Sequence, residues 1–230
     1  MLSTLCMLPS KVICSPTVLG VDDKYPSAEA KIWLAIESAK VAKRITVAED
    51  GIGEDLTFNL LAWRDDQLTA ICQLDSRLMS ETPEERLGRT HEIAILCRTG
   101  YEATALTLIT EGYCAPDPTG VDLSIPLSKQ FVSNESVREC LTITHLEDRE
   151  TTVLALPYTY GVPRKVNFDV PMTYPKRETQ NPFLLKLHDV LSIKLAPPPL
   201  DDETWRDVVA EEISEIGFHV HHSIDLPDSM

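Results

Sequence analysis

Three histidines fall within four positions of the stretch FHVHHSIDLPD, residues 218–228. On an extended segment His219 and His221 project from the same side, with His222 adjacent and Asp225 and Asp228 downstream. Imidazole and carboxylate donors together suit zinc, nickel or iron, so His219, His221 and Asp225 form a candidate site for Zn or another divalent transition metal. The bland reading is a C-terminal strand with incidental histidines, which also bind metal adventitiously.

Glu111 is the candidate general base for such a site. It stands at the end of the most regular strand pattern, where polar side chains often reach a cleft, with Tyr113 and Cys114 beyond it. The His-x-His pair resembles one part of the JAMM metalloprotease motif, but that motif's serine and aspartate have no counterpart at their usual separation, and nothing of that family is carried over. His91 and His145 are further candidates, each able to activate a thiol such as Cys97 or Cys140 if the fold brings them together. Helical or strand periodicity already accounts for both positions, which favours core histidines. No G-x-S-x-G, Walker loop, complete dinucleotide fingerprint or C-x-x-C pair is present.

The elements that must position these residues belong to an acidic chain of 230 residues with a formal charge of −15 and a pI near 4.7. Phosphate contacts need clustered Lys and Arg, so the charge excludes nucleic-acid binding through a basic face. The six cysteines lie mostly in apolar runs and read as reduced, buried thiols, and with no basic, apolar leader at the start of the sequence the expected location is the cytoplasm. No run approaches the roughly 18 apolar residues of a membrane span.

Residues 1–26 carry little pattern and read as an irregular arm. A helix is expected from Ser27 to about Arg44, with Ile32, Ala35, Ile36 and Ala39 on one stripe. The loop AEDGIGED, residues 48–55, reads as a solvated acidic turn, since its carboxylates would repel a phosphate and lack EF-hand spacing. Strands over 56–63 and 68–74 form a hairpin. From Thr82 to Glu111 the signals are densest: Thr82, Pro83 and Glu85 start a helix, Gly100 offers a left-handed residue to close it, and a period of two follows, with Leu106 and Leu108 opposite Ala105, Thr107 and Ile109.

Residues 112–126 read as a surface loop, Ser133 or Asn134 as the cap of a short helix to Arg138, and 141–147 with 151–156 as a second hairpin. Residues 157–182 run extended, with an edge piece at 165–170. Asn181 and Pro182 start a helix to about Ser192, and prolines at 197–199 form a spacer. The expected fold is α+β: an antiparallel or mixed sheet of about five strands with helices packed on it, in a domain over 27–195. A spacer over 196–200 leads to a C-terminal amphipathic helix and His-containing tail over 201–230.

That last helix presents Trp205, Val208, Val209, Ile213 and Ile216 on one stripe and Glu203, Asp207, Glu211 and Glu215 opposite. A whole-helix stripe is a larger feature than three tail histidines. The leading expectation is therefore a non-enzymatic acidic interaction or assembly protein, an inhibitor or accessory factor among its forms. It would bind a protein partner or its own copy through this helix, without a cofactor. The same stripe could equally fold back on its own sheet. A small metal-dependent hydrolase built on the tail is the alternative.

Overall fold

The computed structural model describes residues 28–49, 56, 58–74, 82–116, 121–122, 124–131, 133–173, 181–197 and 201–222. Residues 1–26, most of the acidic loop and Asp225 lie outside that set.

In chain order the elements are α1 (Ala28–Glu49), β1 (Asn59–Arg64), β2 (Gln67–Leu74), α2 (Pro83–Gly100), β3 (Ala105–Cys114), α3 (Leu127–Gln130), β4 (Arg138–Glu147), β5 (Glu150–Gly161), β6 (Lys165–Phe168), β7 (Met172–Thr173), α4 (Pro182–Leu191), α5 (Asp202–Ile216) and β8 (Phe218–His222). The fold is α+β with an antiparallel sheet ordered β6-β5-β4-β3-β1-β2-β8, and β7 pairs with β5. Eight strands appear where about five were expected: β6 falls on the edge piece expected at 165–170, and β7 and β8, 2 and 5 residues long, are further additions. Pieces so short carry almost no readable period.

The chain divides into two compact units. The first contains residues up to Leu56, Ile109–Ile143 and Val153–Tyr174; the second contains Thr57–Leu108, Thr144–Thr152 and Pro175 onward. In the first, α1 runs five residues past Arg44, because its buried stripe of Ile32, Ala35, Ile36 and Ala39 continues at helical spacing through Lys43 and Val47. The β-branched run Ile45-Thr46-Val47 lowers propensity but does not end a helix that has a face to bury. β3 likewise runs on to Cys114. The short helix is α3, earlier than expected; Asn134 instead accepts a hydrogen bond from the Ser136 N–H at 3.0 Å, the Asx turn that competes with helix capping.

In the second unit α2 begins as its sequence dictates. Thr82 accepts from the Glu85 N–H at 3.3 Å, and the Glu85 carboxylate accepts from the Thr82 N–H at 2.8 Å, closing a capping box. Its end differs from expectation. Gly100 is the last helical residue, and Tyr101 caps the helix without a left-handed backbone, its N–H donating to the Cys97 carbonyl. The glycine is needed for space: a Cβ there would sit 2.5 Å from both methyls of Val209 on α5. Leu60, Ala62, Ala70, Cys72, Leu74, Leu106 and Leu108 of the sheet meet Ile93, Ala94 and Cys97 of α2, Leu187 and Val190 of α4, and Val209 and Ile213 of α5 in one core. The strict alternation of β3 sends Leu106 and Leu108 into this core and leaves Thr107 on the opposite face.

Candidate functional site

Glu111 lies within β3, not at its end, and its carboxylate is the centre of a buried polar cluster in the first unit. Lys43 reaches it from α1, with Nζ 2.5 Å from Oε1, Lys43 being fully buried and the Glu111 side chain 10% exposed. The Tyr158 hydroxyl donates to the same oxygen and the Leu56 N–H to the other. The Lys43 ammonium also stands 5.1 Å from the Tyr158 ring centroid and 5.7 Å from that of Tyr160, both on β5, within cation–π range. Burial, followed by the bond to Glu111, pushes the Tyr158 hydroxyl far above its ordinary value, so it acts as a fixed donor.

This geometry shows how the Glu111 carboxylate is held. Both carboxylate oxygens are engaged, by an ammonium, a phenol and a backbone amide, and a general base must have a free lone pair aimed at substrate. Oε1 accepts two of these donors and Oε2 one, which leaves a single lone pair on Oε2 beside the Leu56 amide. The cluster is an internal ion pair that ties α1 to β3 and β5.

A second polar chain crosses the sheet in the other unit. The Trp63 indole N–H donates to Thr107 Oγ1 at 2.9 Å, that oxygen lies 2.8 Å from His145 Nδ1, and His145 Nε2 lies 3.2 Å from Glu147 Oε2. Hydroxyl, imidazole and carboxylate follow in the order of a nucleophile triad. Thr107 is nevertheless fully buried and His145 only 2% exposed, and the hydroxyl already receives the indole proton. The chain satisfies polar groups on the adjacent strands β1, β3 and β4. Replacing Thr107 with valine keeps the shape but removes the indole's acceptor, and should cost about 1–3 kcal/mol in a urea titration.

His145 has the partners above, while Cys97 meets Cys72 across α2 and β2 with Sγ–Sγ 3.7 Å, and His91 is half-buried on α2. The bond to Cys72, reinforced by burial, raises the Cys97 thiol well above its usual range.

His219 and His221 do share one side of β8, for a physical reason: Phe218 and Val220 take the core side, Phe218 being buried and Val220 packed beside it. His219 pairs with Gln73 and His221 with Ile71 in the ladder to β2. Among the described residues no group of three His, Cys, Asp or Glu side chains could hold a metal ion. Glu111 belongs to the first unit and β8 to the second.

The stripe of α5 faces its own unit. Val209 and Ile213 are completely buried, Trp205 and Ile216 pack beside them, and Val208 is half-buried. The helix runs antiparallel to α2: the Trp205 indole donates to the Thr99 carbonyl at 3.3 Å near one end, and Arg89 donates to the Ile216 carbonyl at 2.6 Å near the other. Asp201 caps its start by accepting from the Thr204 N–H at 3.0 Å, and Gly217, at φ 101°, closes it. Glu203, Asp207, Glu211, Glu212 and Glu215 remain exposed. No helix of the described residues is long and apolar enough to cross a membrane. No protein-family model, curated protein or solved structure matches the chain, so the roles of these residues rest on their geometry alone.

Proposed function

We propose that this is a non-enzymatic acidic interaction protein that engages a cationic partner surface through the carboxylate face of α5. The observation that carries the reading is the orientation of that helix: its apolar stripe is held against α2, and its row of carboxylates is displayed to solvent on a docked, capped scaffold. The net charge of −15 supplies the long-range attraction that speeds encounter with a basic surface. This departs from an interaction through the apolar stripe, whose central residues are already buried. The catalytic alternative is weakened by the engagement of Glu111.

The test is binding of a fluorescent Lys/Arg-rich peptide to the full chain at increasing salt. Neutralising Glu203, Asp207, Glu211 and Glu215 to the corresponding amides should weaken binding by about tenfold or more at low ionic strength, with a shallower salt dependence. Neutralising four exposed carboxylates elsewhere, Glu84, Glu135, Asp148 and Glu150, removes the same charge and should have a much smaller effect. Equal losses from both sets, or binding indifferent to salt, would overturn the proposal.

A further inference from the structure

Cys114 and Cys140 lie in the first unit, are 0% and 1% exposed, and form a small cluster with Ala155. Along β3 and β4, Thr107 meets His145, a Cβ on Gly112 would lie 3.9 Å from Thr142 Oγ1, and Cys114 clusters with Cys140, numbers rising along one strand as they fall along the other. The strands are therefore antiparallel, and the two cysteines stand opposite each other. Directly opposed residues on antiparallel strands have Cα atoms about 4.5–5.5 Å apart, inside the range a disulfide spans. The two cysteines pack in one buried cluster, and Thr142 Oγ1 lies 3.8 Å from the Cys140 sulfur.

We propose that Cys114 and Cys140 form a redox-active dithiol that a hydroperoxide converts to a cross-strand disulfide. The two sulfurs are not equivalent. The hydrogen bond from Cys114 holds the Cys140 thiol below its ordinary value, with Thr142 acting in the same direction against burial, whereas Cys114 is raised by that same bond and by burial. Cys140, the sulfur that also has the Thr142 hydroxyl beside it, is assigned as the nucleophile and Cys114 as the resolving thiol. The Cys140 thiolate attacks the O–O bond, forming a sulfenic acid and releasing water or an alcohol after proton uptake. Cys114 then attacks the sulfenic sulfur, the S–S bond forms and a second water leaves. Two thiols are oxidised by two electrons and one peroxide is reduced. Both thiols are buried, so the reaction requires local opening of the pair, which sits at the end of β3, where ladders fray, beside Tyr113, 38% exposed.

The molecule contains its own comparison. Cys72 and Cys97 also lie in contact but bridge β2 and α2 inside the core of the second unit, away from a strand end, with the Cys97 thiol raised. The experiment treats the native full chain with hydrogen peroxide, blocks remaining thiols by alkylation, and maps peptides without reduction. The expected result is a Cys114–Cys140 link, lighter by two hydrogens and reversed by dithiothreitol, that accumulates before any Cys72–Cys97 link. In Cys114→Ser a dimedone adduct should appear on Cys140, and in Cys140→Ser none on Cys114. The inference is overturned if the link is absent from native protein, forms only in denaturant, or follows the Cys72–Cys97 link. If either variant fails to fold, the time course of the unmodified chain decides.

Discussion

Replacing Glu111 by alanine should destabilise the protein by about 3–5 kcal/mol, measured as a fall in the urea midpoint, because removing one partner of a buried ion pair leaves the other charge poorly compensated. Here the remaining charge is the ammonium of Lys43, which is fully buried, and the Tyr158 hydroxyl and Leu56 N–H lose their acceptor as well. Glu111→Gln separates the contributions: the amide oxygen can still accept one hydrogen bond, but the charge is gone, so its loss should be smaller. Changing both partners to apolar residues of similar size, Lys43→Met with Glu111→Leu, should recover much of the loss, since an apolar pair has no charge to desolvate. The cation–π contacts of Lys43 with Tyr158 and Tyr160 limit that recovery. A loss below about 1 kcal/mol for Glu111→Ala would place the pair in the class of solvated surface bridges and contradict its burial.

Ile213→Ala should cost about 2–5 kcal/mol, the range for emptying a well-packed aliphatic site. Ile213 is completely buried in the core that α5 shares with α2 and the sheet. Relaxation into the cavity is restricted, because Gly100 and Val209 are already in tight contact and the helix is held near both ends by Trp205 and by the Arg89 contact to Ile216. On the outer face of the same helix, Glu211→Gln should change stability by no more than about 0.5 kcal/mol. Equal and small effects from both substitutions would mean that α5 contributes little to the fold and that its stripe is open.

The parts legible in the sequence were those specified by local chemistry. The Thr82–Glu85 capping box, the Asn181 cap of α4, the Asp201 and Gly217 boundaries of α5 and the hairpin turn at Asp148–Arg149, with φ of 48° and 65°, are determined by a few neighbouring residues. What was hidden depends on residues distant in sequence. Gly100 looked like a left-handed helix stop, but its role comes from Val209, more than a hundred residues later. Lys43 was not singled out; its ion pair with Glu111 offsets its burial, and nothing local announces that pair. A lysine continuing the spacing of a buried stripe was the available signal. Glu111 was singled out for its position on β3 alone, whereas the three donors it meets come from α1, β5 and Leu56. The stripe of α5 was equally compatible with a partner or with its own core, because amphipathicity specifies that a face is covered and not by what.

Amide hydrogen exchange of the isolated full chain tests the central claim most directly, because it reads the docking of α5 residue by residue. If the helix is an integral element whose carboxylate face alone is available, the amides of residues 206–216 should be protected to nearly the same degree as those in the second half of α2. Rapid exchange throughout α5 beside a protected α2 would instead describe a tethered helix whose apolar stripe is free, and would contradict the account.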